Sequence, residues 1–186
     1  LFRNHGIRID AALIQVTPPD DYGFCCLGIS VDVVKSAAES ARIVIAEVNP
    51  QMPRTFGDSR IAIDQIDVLV DHDCPIPEIQ APPADDIAER IAKNISRFIE
   101  NGSTIQMGIG TVPHAIVQFL KDKTDLGVHS EMISDGVVAL WEAGVITNRK
   151  KTIHPGKIIT SFCMGTKKLY DFVNDNPLVE FHPSEY

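Results

Sequence analysis

The sequence has no apolar run long enough to cross a membrane, and its opening residues, LFRNHGIRID, carry no signal-peptide pattern. It also has no excess of positive charge. Seventeen Lys and Arg stand against 25 Asp and Glu, for a net charge of -8. That balance argues against a general nucleic-acid or anionic-membrane surface. The four cysteines, Cys25, Cys26, Cys74 and Cys163, lack metal-site spacing, and the adjacent pair makes no disulfide framework. Reduced thiols in a cytoplasmic protein without a metal are the expectation. There is no internal repeat and no initiator Met, and the chain stops at EFHPSEY without an obvious closing element. The sequence is therefore expected to be a piece of a longer protein. What it does have is 186 residues with 44% hydrophobic content, enough for a real core in one or two domains.

The first half reads as alternating strands and helices. Ala11 to Val16 and Ile66 to Val70 are predicted strands, and Ile43 to Val48 is the clearest one, being mostly β-branched. Between the first and second of these in chain order, Val31, Val34, Ala37, Ala38 and Ala41 recur at helical spacing, with Ser30 as the candidate N-cap. Asn49-Pro50-Gln51-Met52-Pro53-Arg54 then forms a rigid loop, because two prolines hold the backbone extended and remove donors. The run CPIPEIQAPPADD from Cys74 to Asp86 holds four prolines and cannot continue a helix or a central strand. It predicts a linker, dividing the chain into residues 1–80 and 81–186. A helix is then expected from Asp85 and Asp86 to about Glu100, with Ile87, Ile91, Ile95, Phe98 and Ile99 as its apolar face.

The stretch from Ser103 to Gly136 carries the chemistry. Ile105 to Met107 is a short apolar run. Gly108-Ile109-Gly110 follows, and Val112 to Leu120 has helical periodicity. Val128 to Ser130 is extended and ends at Glu131. In an open α/β sheet, ligands bind outside the carboxyl ends of strands, beside helix N-termini. The dinucleotide fingerprint needs a glycine at position 113, where Pro113 stands, and no Walker pattern is present. The loop is thus either a pair of amides, Ile109 and Gly110, aimed at an oxyanion, or a tight turn that needs glycine only for its backbone. Glu131 on the same rim is read as a nucleophile. His129, two residues earlier, either orients the site or is a structural histidine. Met164 and Gly165 end a further strand, Ile158 to Phe162, at the rim. Asn148-Arg149-Lys150-Lys151 is the only dense basic run, serving either the phosphates of a ligand or a solvated turn. Trp141 shares a helix with Val137, Val138 and Leu140 and is expected in the core.

The order GIG, P-x-A, DLGVHSEMISDG, GVITNRKKTIHPGK and SFCMGTKKLYDF resembles the acetyl-CoA hydrolase/transferase family. Within it the resemblance is to the 4-hydroxybutyrate and the acetate or butyrate CoA-transferase group. The earlier stretch from Ala46 to Ser59 is similar to the same family, so the likeness covers nearly the whole chain. Thr111 stands where the family tends to have glycine.

The resemblance implies an α/β fold of two consecutive open, mostly parallel units of the CoA-transferase type. It implies that residues 1–80 end a first domain and that residues 81–186 carry the glycine loop and the catalytic glutamate. The glutamate of the family's H-[ST]-E-M motif falls on Glu131. Gly108 and the loop residues Asn49 and Gln51 are implied walls of the acyl or CoA pocket, with His129, Met164 and Gly165 as further substrate contacts. The implied activity moves CoA from an acyl-CoA to a short-chain carboxylate through a glutamyl-CoA thioester, with CoA as substrate and no cofactor. The alternatives are acyl-CoA hydrolysis and a non-catalytic binding module. A dimer is expected, with acyl-CoA and a carboxylate as its ligands.

Overall fold

A computed structural model describes residues 2–3, 6–80 and 83–186 and is a mixed α/β structure with mostly parallel strand pairing. Its contacts separate into two compact units. The first comprises Leu1–Pro77 with Val173–Tyr186, and the second Glu78–Phe172. Of the predicted proline-rich linker, Ala81 and Pro82 lie outside the described residues. No helix among the described residues is long and apolar enough to cross a membrane.

The first unit is built on β1 (Ile9–Val16), β2 (Phe24–Cys26), α1 (Val34–Ser40), β3 (Ala41–Val48), β4 (Phe56–Gly57), β5 (Arg60–Ala62) and β6 (Val68–Asp71). β1, β3 and β6 form a parallel sheet in that order, while β2 and β5 pair antiparallel. Alternation along the strands decides the core. Ala12, Ile14 and Val16 lie beside Val44, Ala46 and Val48 in register, and all six are buried. The opposite face is open: Leu13 is 78% exposed, and Val68 and Val70 are exposed as well. Helix α1 starts later than the spacing predicts, and Ser30 does not cap it. The Ser30 hydroxyl donates instead to the Asp32 carboxylate, and the N-cap position is Val33, without a side-chain cap.

The second unit comprises α2 (Asp86–Ser96), β7 (Thr104–Ile105), α3 (Thr111–Ile116), β8 (Gly127–Val128), β9 (Met132–Ile133), α4 (Asp135–Glu142), β10 (Ile158–Thr160), β11 (Phe162–Cys163) and α5, which runs Lys167–Val173 and ends on the first residue of the returning tail. β7 pairs parallel with β8, and β9 with β11. Helix α2 begins where expected, with the Asp85 carboxylate accepting the Ala88 N–H at 2.7 Å. Its buried side is not the predicted one. Ala88, Ala92 and Ser96 are buried, while Ile87, Ile91, Ile95 and Phe98 are exposed. The small side chains let the helix lie close against α3, which the bulky isoleucine face does not permit.

The tail strand β12 (Val179–Phe181) pairs parallel with β4, matching Phe181 to Gly57. Residues 173–186, which the division at residue 80 assigns to the second part, therefore group with the first unit. The approach at Gly57 is close: φ is +93° and an added Cβ would stand 2.4 Å from the Phe181 carbonyl oxygen.

Candidate active site

The second unit builds an apolar cavity of about 250 Å³ at the carboxyl ends of its strands. Its parts follow from local folding. Past Ile105 the chain leaves β7, and the loop Gly108-Ile109-Gly110 is exposed. Gly110 has φ 132°, in the region that favours glycine, and this sharp turn sets the direction of α3. Pro113 falls in the first turn of that helix, where its missing N–H costs nothing. The helix is shorter than the periodicity predicts: α3 stops at Ile116 and a 3-10 turn continues over Val117–Phe119. Among the described residues, no hydrogen bond within the chain engages the amides of Ile109 and Gly110.

The opposite wall comes from the segment after β8. His129 forms a parallel bridge with Ile159 and its N–H donates to Ile105 at 3.1 Å. Ser130 is buried, and its hydroxyl accepts the Met107 N–H at 3.0 Å and lies 2.7 Å from the Met132 carbonyl. It thereby joins the start of the glycine loop to the segment between β8 and β9 that carries Glu131. The Glu131 carbonyl accepts from Ser161 N at 2.9 Å, Phe162 N at 3.0 Å and Thr160 Oγ1 at 3.2 Å. Its main chain is held on three donors while its side chain is exposed.

Gly108, Ile109, Gly110, Pro113 and His114 line the cavity from one side, and Met132, Ser134, Asp135 and Gly136 from the other, with Ile79 and Met164 at its rim. Of the predicted site residues, Gly108, Ile109, Gly110 and Met164 thus meet in one space. Glu131 directly precedes the lining residue Met132 but does not itself line the cavity. His129 and Gly165 are also outside the lining. Gly165 has a different part to play, since an added Cβ would stand 2.3 Å from Asp135 Oδ2. That clearance lets the Asp135 carboxylate accept both Thr166 N at 3.0 Å and Thr166 Oγ1 at 2.6 Å. Asn49 and Gln51 belong to the first unit. Asn49 is buried and organises its own loop, accepting the Gln51 N–H at 3.0 Å and donating to the Cys74 carbonyl at 2.8 Å. Gln51 is exposed and donates to Asp73 at 2.6 Å.

Sequence reasoning missed His114, Ile79 and the double grip of Asp135. The only local signal was Ser134-Asp135-Gly136 opening a helix. The basic run is a solvated turn at only two of its four positions. Lys151 is buried, its Nζ donating to Val128 O and Lys157 O at 2.7 Å each, and Asn148 accepts the Val128 N–H at 2.8 Å. These two residues brace β8 from below. Only Arg149 and Lys150 of the four are exposed, and Lys150 pairs with Asp125 at 3.6 Å. Trp141 lies at the surface edge, 37% exposed and tilted against Phe172, while Val137, Val138 and Leu140 fill the core. Burial pushes the thiol of Cys163, next to this wall, far above its ordinary range, so it carries no reactive thiolate.

Residues 2–80 match the acetyl-CoA hydrolase/transferase N-terminal domain family. The whole chain is 55% identical to the 4-hydroxybutyrate coenzyme A transferase of Clostridium kluyveri, spanning 43% of that protein. It is 44% identical over 97% of its length to a succinyl-CoA:acetate/propanoyl-CoA:succinate CoA transferase of Fasciola hepatica, spanning 38% of it. A crystal structure of a 4-hydroxybutyrate CoA-transferase from Porphyromonas gingivalis superposes with a TM-score of 0.95 at 43% identity, covering all of this chain and 48% of that one. The chain therefore spans less than half the length of these relatives.

Proposed function

We propose that this chain, which resembles the acetyl-CoA hydrolase/transferase family along its length, is the part of a CoA-transferase that carries the nucleophile. The reaction moves CoA from an acyl-CoA to a short-chain carboxylate. The observation that carries this reading is the apolar cavity floored by the Gly108–Gly110 loop, with unengaged amides at Ile109 and Gly110 and with Glu131 one residue from its wall.

A Glu131 carboxylate oxygen attacks the thioester carbonyl carbon. The C–S bond breaks, leaving a mixed anhydride and CoA thiolate. The thiolate attacks the glutamyl carbonyl, the C–O bond breaks, and the first acid leaves as its carboxylate. The acceptor carboxylate then attacks the glutamyl thioester, and the same two steps in reverse hand CoA to it. Each tetrahedral intermediate places an oxyanion where the Ile109 and Gly110 amides can receive it, and one such donor is worth about 3 kcal/mol. The acyl chain fits between Met132, Met164 and Pro113. Binding energy from CoA remote from the thioester strengthens transition-state binding.

A second reading, acyl-CoA hydrolysis, is favoured by the exposure of Glu131, which lets water reach the glutamyl intermediate. Product analysis with and without acceptor acid separates the two.

The test uses the full-length protein, exposed to acyl-CoA, reduced with borohydride and peptide-mapped. A thioester on Glu131 becomes an alcohol and changes that peptide's mass. Glu131→Ala abolishes transfer. Glu131→Asp loses roughly a hundredfold, because the carboxylate withdraws by about 1 Å. Glu131→Gln retains acyl-CoA binding. Full transferase activity in Glu131→Ala, or modification of a different residue, ends the assignment.

A further inference from the structure

Three side chains of different ligand chemistry meet at the carboxyl end of the first unit's parallel sheet. Glu47 stands opposite Val70 in the β3–β6 register. His72 and Cys74 continue the two-residue alternation of Val70 past the end of β6. The Glu47 carboxylate, a His72 ring nitrogen and the Cys74 thiol lie within 4.8 Å of one another. Zinc bonds of about 2.0–2.3 Å would need these atoms to draw in only slightly.

Two further side chains hold the three in position. Gln15 Nε2 donates to Glu47 Oε1, leaving Oε2 facing His72 Nδ1 at 3.1 Å. The buried Asn49 donates to the Cys74 carbonyl, accepts the Cys74 N–H at 3.4 Å and has its amide nitrogen 3.5 Å from Sγ. Outer residues that orient ligands in this way are a regular part of metal centres. An exposed His–Glu pair by itself contributes little to stability, and it explains neither the thiol nor the double clamp on its backbone.

We propose that Glu47, His72 and Cys74 bind a zinc-class divalent cation. The proposal does not depend on the chemistry assigned to Glu131. Carboxylate, imidazole and thiolate together suit a borderline cation and not the oxygen-seeking Mg²⁺ or Ca²⁺. Three protein ligands leave the fourth tetrahedral position to water or another donor. Binding displaces the thiol proton and requires neutral imidazole, so affinity rises with pH. The expectation of no metal rested on the local spacing of cysteines. The ligands here come from two neighbouring strands and the extended segment after one of them.

The experiment strips the full-length protein with a chelator and titrates it with Co²⁺, reading the near-ultraviolet thiolate-to-cobalt charge-transfer band. A saturable band is expected, displaced by Zn²⁺ and not by Mg²⁺. Cys74→Ser removes it. His72→Ala, Glu47→Gln and the orienting variant Gln15→Ala each weaken Co²⁺ affinity by about tenfold or more. Absence of the band in the parent protein overturns the proposal, as does a band undiminished in Cys74→Ser. Should Cys74→Ser fail to fold, unchanged affinity in both His72→Ala and Glu47→Gln overturns it equally.

Discussion

A buried serine hydroxyl joins two parallel strands where their main-chain pairing runs out. Ser130 accepts the Met107 N–H on one side and reaches the Met132 carbonyl on the other, so it sets the spacing between the glycine loop and the Glu131 segment. Ser130→Ala leaves the Met107 amide unsatisfied, which costs about 1–3 kcal/mol. It also loosens the loop, and under the proposed function kcat of the full-length protein is expected to fall by about a hundredfold, with Ser130→Thr restoring most of it. Thermal unfolding and steady-state kinetics together check this. A lowered Tm with unchanged kcat would mean that the serine only stabilises. The turn at Gly110 was legible at this scale, because a φ of 132° favours glycine and the sequence shows one there. The role of Ser130 was not, since its partner Met107 lies 23 residues away in the chain. The same holds for Lys151, which sequence reads as a surface cation and which burial turns into a brace for β8.

Helix α2 separates what periodicity can tell from what packing decides. Its start was readable, because Asp85 caps it through a local bond. Its large isoleucines were expected inside and are outside, because hydrophobic spacing identifies two faces without saying which one a neighbour can approach. Ala92 is fully buried. In the isolated 186-residue chain, Ala92→Leu should destabilise by about 1–3 kcal/mol through overpacking. Ile91→Ser should stay within about 0.5 kcal/mol. Urea denaturation measures both, and the opposite ranking would restore the isoleucine face as the buried one. Helix α3 makes a related point. The sequence period runs on to Leu120, but the hydrogen-bond pattern tightens to a 3-10 turn after Ile116.

Across the molecule, the boundary between units follows contacts rather than chain order. β12 returns to β4 after the whole second unit has been made, and Gly57 permits the approach. Gly57→Ala places a Cβ against the Phe181 backbone at a φ that side chains avoid, so a loss of about 2 kcal/mol is expected from the strain alone. The Asp58 N–H donates to the Phe181 carbonyl at 2.8 Å, so its hydrogen exchange should accelerate in the variant. Unchanged protection at Asp58 would mean that the tail does not depend on this pairing.

The sequence by itself determined the class of the fold, the positions of β1 and β3, and the glycine loop. Each of these rests on neighbours a few residues apart: β-branched runs and a φ that needs glycine. Only the tertiary structure decided which face of α2 is buried, that the tail belongs to the first unit, that Lys151 supports β8, and that Glu47, His72 and Cys74 converge. Those outcomes depend on which strand lies beside which, and side chains distant in the chain meet only once strand order and register are set.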